Sequence, residues 1–333
     1  MKLTKIVLTI LLCTGVYRNV EAQVDPHFSQ YYMHPLWLNP ALTGAIDGNY
    51  RVAVIHRNQW SSITNAFSTI GLSGDIVTDK NINLGLELLQ QSAGDAGYKY
   101  TNAQFSIAYT GVRFGSEGDK VVTFGMQAGL LGRRFDLTGV QTDNQYNVTT
   151  STYDPNLPTQ LAITKPSASA FDMGVGVIFY DAEKDKKVNL FGGFSAAHIN
   201  QPKDPSLSAG YESTLPVRYT LHGGANVYLS DKAHFVPNLL VMQQGNTKET
   251  MVGGYVQMTV NGTTDITGGV NYRVEDAIYP YIGLSFSDFT FGLSYDVNTT
   301  QLGKLVKGTS SFELSLMYMD NKRQKGFFKC PRF

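Results

Sequence analysis

The sequence predicts an all-β fold, a transmembrane antiparallel β-barrel of about 14 strands with an N-terminal internal or plug segment. Three observations carry this expectation. Beyond residue 22 no apolar run is long enough to cross a bilayer as a helix. The same region alternates apolar and polar side chains over segments of roughly ten residues, the length and period of a tilted strand in lipid. The connections between those segments alternate in length, with short turns assigned to one rim and mostly longer loops to the other.

Residues 1–22 come first because they set the compartment. Lys2 and Lys5 begin a positive region, Ile6 to Cys13 is a short apolar run, and Val20-Glu21-Ala22 offers small residues at a cleavage site. That order predicts a secretory signal with a mature start at Gln23. Leu12 precedes Cys13 where lipidation needs a small residue, so a cleaved signal is the better reading. Removing it takes three of 27 basic and one of 27 acidic side chains, so the remainder stays near neutral. Such a balance argues against a nucleic-acid partner, which requires a concentrated basic face. Cys330 is then the one cysteine left, so no internal disulfide can form.

The barrel is expected over residues 50–318. In Ile82–Gln91, Ile82, Leu84, Leu86 and Leu88 alternate with Asn83, Gly85 and Glu87. Tyr100–Arg113 sets Ala103, Phe105, Ile107 and Tyr109 against Asn102, Gln104, Ser106 and Ala108. Val121–Phe135, Phe171–Phe179, Tyr219–Leu229, Phe289–Val297 and Phe312–Tyr318 repeat the pattern. A soluble two-sheet protein also alternates. Here, however, the polar rows hold glycine, serine and asparagine, which suits a crowded lumen better than a charged solvent face. Val77–Asn81, Ser116–Lys120, Asp181–Lys187, Ser230–Ala233, Asn261–Thr264 and Ser287–Asp288 read as tight turns. Asp136–Ser167 and Asn200–Val217 are the longest connections, and their Tyr146, Tyr153 and Tyr211 are candidate contacts for a partner. Trp60, Tyr98, Tyr109, Phe135, Tyr180, Tyr228, Tyr272 and Tyr318 fall near strand ends, as an interfacial aromatic belt requires. An even strand count puts both mature termini on the short-turn rim, which in outer-membrane barrels is periplasmic.

Residues 23–49 have no period of two. Phe28, Tyr31, Tyr32 and Pro35 stand at helical spacing, and Pro35 and Pro40 limit any helix to about two turns. A segment so aromatic is expected inside the periplasmic half of the barrel or across that rim.

Asp25-Pro26-His27-Phe28-Ser29-Gln30-Tyr31-Tyr32, then Pro35, then Asn39-Pro40-Ala41-Leu42-Thr43-Gly44 resembles the opening of the PorP/SprF family. Arg57-Asn58-Gln59-Trp60 and the ending Lys329-Cys330-Pro331-Arg332-Phe333 are similar to that family too. The resemblance implies an outer-membrane barrel of the Bacteroidetes type IX secretion system. Its partners would be a large secreted surface protein with a C-terminal secretion domain, often a gliding adhesin, and a periplasmic or outer-membrane lipoprotein of the machinery. Asn39-Pro40-Ala41 is also similar to an element in the N-terminal hatch of FadL-type channels for small hydrophobic solutes, which supplies the alternative function.

Residues 319–333 are expected to form a periplasmic tail. Phe327, Phe328, Cys330, Arg332 and Phe333 read either as a basic stretch touching anionic headgroups or as a peptide that binds a partner. No cofactor or metal is expected. His27 and His34 are seven residues apart without an evident third ligand, so aromatic packing is the better reading. His222 and Asp172 are assigned to the lumen, with no Ser/His/acid arrangement that would make an enzyme. Gly174-Val175-Gly176 lacks the third glycine and following helix of a dinucleotide loop.

Overall fold

The computed structural model describes residues 25–60, 66–78, 80–94, 97–136, 140–154, 156–157, 166–183, 186–203, 214–300 and 311–320. After the N-terminal segment come β1 (Tyr50–Gln59), β2 (Phe67–Ile76), β3 (Ile82–Ala93), β4 (Tyr98–Phe114) and β5 (Lys120–Arg134). A small hairpin follows, β6 (Tyr146–Asn147) and β7 (Thr152–Tyr153). The remaining strands are β8 (Ser167–Asp181), β9 (Val188–Ala197), β10 (Arg218–Ser230), β11 (Ala233–Gln244), β12 (Thr247–Asn261), β13 (Thr264–Arg273), β14 (Ala277–Phe286), β15 (Phe289–Asn298) and β16 (Ser311–Met319). All but the hairpin form one closed, 14-stranded antiparallel ring, sealed where β1 pairs with β16 from Arg51↔Met319 to Gln59↔Ser311. No described helix is long and apolar enough to cross a membrane. The strands are the spanning elements, because closure satisfies every edge that lipid would leave unpaired.

The period-two rows fall as the sequence indicates. On β4, Asn102, Gln104 and Ser106 are buried while Phe105, Tyr109 and Val112 are exposed. Leu86, Phe124, Met126, Leu221, Ile282 and Phe291 continue an apolar outer surface around the ring. On a soluble protein an apolar surface this large would drive association; on a barrel it is the lipid face. Tyr180 departs from the expected aromatic belt. It lies on the inward row of β8 with Asp172 and Ile178, buried against Val121 and Ala182. Its position in the pleat, one residue out of phase with Phe179, decides this.

Short turns do gather on one rim: 77–81, 115–119, 182–187, 231–232, 262–263 and 287–288. The other rim carries 135–166, 198–217 and 299–310, but also the tight connections 245–246 and 274–276. Length on that rim is therefore concentrated over part of the ring. Substituting arginine for Phe105 or Ile282, 52% and 61% exposed on the outer face, should destabilise the barrel by about 2–4 kcal/mol. Denaturant titration of the protein refolded in lipid vesicles measures it; an unchanged midpoint would place these rows away from lipid.

Candidate functional site: the lumen and its plug

Residues 26–46 are buried without a break, inside the ring. They do not form one helix. Tyr31–Met33 is a single 3-10 turn, α1 (Pro35–Leu38) is one α-helical turn, and Pro40–Leu42 is another 3-10 turn. Pro35 and Pro40 stand at the first helical position of their turns, where a missing N–H costs nothing. Each proline starts a new turn in a new direction, so the chain zigzags and touches much of the wall.

The segment begins at the long-loop rim. Asp25 Oδ2 lies 2.7 Å from His198 Nε2 and 3.0 Å from Arg218 Nη1, both at that end of β9 and β10. His198 Nδ1 is 2.9 Å from Asp172 Oδ1. An imidazole facing a carboxylate at each nitrogen donates from both, so His198 is the charged centre of an Asp-His-Asp bridge. Arg218 also donates to the Trp37 carbonyl at 3.0 Å and stacks 4.3 Å above the Trp37 ring.

Across the lumen, Ser29 and Gln30 are held by a denser cluster. Glu313 accepts from both backbone N–H groups, at 2.6 Å and 2.8 Å. Ser29 Oγ donates to Asp296 at 2.8 Å and accepts from Arg57 at 2.7 Å and Arg273 at 2.6 Å. Arg57 completes the cluster by pairing with Glu313 and, at 2.9 Å, with Asp296. Gln30 donates to Ser294 and the Glu313 carbonyl and accepts from Ser315. His27 Nδ1 stands 3.6 Å from Glu249, which pairs with Arg273 at 3.2 Å.

Aromatic contacts fill the middle. Phe28 packs edge-on to His34 and Trp37, at 5.5 and 5.6 Å between centroids. Tyr32 meets Tyr255 and Tyr281 at 5.7 and 5.4 Å, and Tyr31 Oη donates to Asn238 at 3.0 Å. Asn39 Nδ2 reaches the carbonyls of Val177 and Phe194, at 3.1 and 3.3 Å, and lies 3.1 Å from His222 Nε2. Wall glycines make room here. A Cβ on Gly125 would overlap the backbone of Pro40 and Ala41, and one on Gly176 would overlap the Asn39 amide. The segment leaves at the short-turn rim, where Gly44, at φ +70°, donates to Asp75 at 2.7 Å. Asp75 is gripped by Arg51 through two bonds of 2.9 Å, and Arg51 also donates to the Leu42 carbonyl.

The structure thus brings together Pro26, His27, Phe28, Gln30, Tyr31, Tyr32, Pro35, Asn39, Pro40 and Gly44 along one path. That path spans the lumen rather than the expected periplasmic half. Strand parity fixes only Tyr50 and Met319 on the short-turn rim; the threaded segment carries Asp25 back to the opposite one. The two described ends, Asp25 and Asp320, therefore lie on opposite rims; Gln23 and residues 321–333, on which the expectation of both termini on one side rests, lie outside the described residues. Tyr146 and Tyr153 are cross-strand partners in the β6–β7 hairpin, with Tyr146 exposed. Tyr211, residues 1–22 and the tail residues Phe327, Phe328, Cys330, Arg332 and Phe333 lie outside the described residues. Sequence reasoning assigned Asp172 and His222 to the lumen, its polar rows took in Arg218 and Asp296, and Arg57 stood only in a family motif; Arg51, Asp75, Arg273 and Glu313 were missed. Their signal was ionisable residues within otherwise regular strand segments.

Among the described residues, Asp119, Asp181 and Glu183 cluster at the short-turn rim, where Lys120 and Lys186 pair with them at 2.5 to 4.0 Å. Those lysines already occupy the carboxylates a cation would need.

What these features define is a plugged transmembrane β-barrel. Solved barrels of this shape include the toluene transporter TbuX of Ralstonia pickettii, at 11% identity and a TM-score of 0.50, over 86% of this chain and 92% of that one. The monoaromatic hydrocarbon channel CymD aligns at 11% identity and TM-score 0.50, over 88% and 94%, and the deltaS2S3 mutant of the monoaromatic hydrocarbon channel TodX at 12% and 0.50, over 86% and 94%. At such identities the likeness is one of fold. No curated protein matches the sequence. The family model of the type IX secretion system membrane protein PorP/SprF matches residues 20–318, and the chain belongs to that family.

Removing Arg57, 1% exposed, strands Glu313 in the lumen and leaves Asp296 to Arg273 and Ser29. Arg57→Ala should cost on the order of 3–5 kcal/mol, read as a lower unfolding midpoint of the detergent-solubilised barrel. Arg57→Lys should restore little, since an ammonium cannot make the fork-shaped set of bonds. A midpoint equal to the parent would mean that the cluster carries no stability.

His198 supplies a pH dependence. Burial opposes its charge, but Asp25 and Asp172 outweigh burial and raise it to about 9. A raised imidazole stabilises the folded state fully below its ordinary value and loses that contribution as pH rises through about 9. Cleavage near Asp25 by an added protease should increase between pH 8 and 10, and His198→Gln should abolish the increase. A flat profile in the parent protein would show that the bridge does not hold the segment.

Proposed function

We propose that this protein is an outer-membrane barrel that anchors, or assists secretion of, a large exported surface protein, which it binds through its long loops. The observation that carries this is the plug. A lumen crossed by a segment bonded at both rims and at mid-height leaves the exposed rims as the working surfaces. Family membership supplies the secretion setting. The long-loop rim would face the exterior and hold the partner through 136–167 and 200–217, with Tyr146, Tyr153 and Tyr211 as aromatic contacts. The tail, through Phe327, Phe328, Cys330, Arg332 and Phe333, would engage a periplasmic lipoprotein of the machinery. Residues 1–22 would be the cleaved signal. Anchoring of a gliding adhesin is the form of this function we favour.

The rival is a channel for small hydrophobic solutes, favoured by the likeness in fold to hydrocarbon channels. The two separate in one experiment. Mild detergent extraction of the tagged protein from its native membrane should recover a large exported protein with a C-terminal secretion domain. Deleting 141–166 should release that protein into the medium, and replacing Phe327 and Phe328 with alanine should remove only a periplasmic component. A barrel recovered alone, which conducts in a planar bilayer, would favour the channel.

A further inference from the structure

The barrel wall is uneven where β8 meets β9. These strands pair from Gly174↔Ala197 to Tyr180↔Phe191, so β8 continues upward from Met173 to Ser167 past the end of β9. Its other side stays paired with β5 all the way to Arg134↔Ser167. The cause of the early stop lies in the plug. His198 adopts φ +59°, an unusual conformation for a residue other than glycine, and turns inward to Asp25 and Asp172. Instead of climbing beside β8, the chain is drawn into the lumen.

Asn200 then finishes the ladder with its side chain. Its amide accepts from Met173 N–H at 3.1 Å and donates to the Phe171 carbonyl at 2.7 Å, while Ile199 N–H donates to the Met173 carbonyl at 3.0 Å. These bonds show that the odd-numbered residues of β8 aim their backbone groups at this side. Above Asn200, the N–H of Phe171 and both backbone groups of Ser169 and Ser167 have no partner on that side among the described residues. Such an edge is a template for another strand. Two outward-facing side chains near its upper end are basic. Lys99 and Arg134 are opposite each other across β4 and β5, both exposed, and Arg134 is opposite Ser167. Like charges so placed repel, and an acidic neighbour relieves them.

We propose that the Ser167–Phe171 edge of β8 receives an extended, acidic segment of the exported surface protein as an added strand at the long-loop rim. This rests on the secretion reading above. The partner supplies main-chain groups to Phe171, Ser169 and Ser167, and carboxylates to Lys99 and Arg134.

Ser169→Pro tests it. That substitution deletes an N–H aimed at the edge and leaves the bonds to β5, made by Ala168 and Ala170, in place. With the full-length protein in its native membrane, Ser169→Pro should cut recovery of the exported protein at least tenfold while the barrel stays heat-modifiable on gels. Ser169→Ala should leave recovery unchanged, and Lys99→Ala with Arg134→Ala should lower it severalfold. Recovery at the parental level from a folded Ser169→Pro barrel would overturn the inference and leave the secretion reading standing. A parent protein that recovers no exported protein would overturn both. If Ser169→Pro does not fold, a photoreactive phenylalanine analogue incorporated in place of Ser169 decides. An adduct with the exported protein supports the added strand; adducts confined to lipid or to this chain refute it.

Discussion

A ring of fourteen strands encloses more space than its own inward side chains can fill, and the rest of the structure follows from how that space is occupied. Small barrels of about eight strands pack their interiors with side chains, whereas much larger ones hold water. This chain fills the difference with its own residues 25–49. Doing so brings backbone N–H and carbonyl groups into the lumen, where each needs a partner. The wall supplies them from the inward row: Glu313 for Ser29 and Gln30, Asp75 for Gly44, Arg51 for Leu42, Arg218 for Trp37 and Ser195 for Leu38.

Charge follows from the same requirement. A carboxylate that accepts two backbone N–H groups inside a barrel must be neutralised there, and Arg57 performs this for Glu313 while also reaching Asp296 and Ser29. Asp75 and Arg51 repeat the arrangement at the other rim. The wall's ionisable residues are therefore legible as a consequence of the plug, and the glycines at 125 and 176 as its footprint. Wall and plug are complementary at the Ser29, Asn39 and Gly44 contacts.

The ring itself was largely visible in the sequence, because lipid on one side and polar packing on the other force a period of two. Phe105 outward and Gln104 inward could be assigned from the pattern of Tyr100–Arg113 alone. Tyr180 could not be placed from its nearness to a strand end, since its side is set by the phase of β8. The direction of the plug was hidden for a different reason. Parity counts strands, and Asp25 is not in one. Nor could spacing reveal the Ser29–Glu313 contact, which joins residues 284 positions apart. The plug motif was read as a dense aromatic segment, yet Ser29, the centre of its largest bond cluster, has no special appearance in sequence.

The proposed use of the rims follows from the balance between plug and wall. Passage of a polypeptide through the lumen would require breaking the Ser29 cluster, the Asn39 contacts and the Asp75 grip together, each of which leaves buried polar groups without partners. A rim contact requires none of this. At His198 the plug changes the outer wall, drawing the residue inward to Asp25, so that β9 ends at Ala197 while β8 runs on to Ser167. The interaction that closes the inside of the barrel thus also ends β9 early, and among the described residues no strand pairs with Ser167–Phe171 on that side of β8. Closure of the lumen and the early end of β9 are, in this fold, two results of one histidine's position.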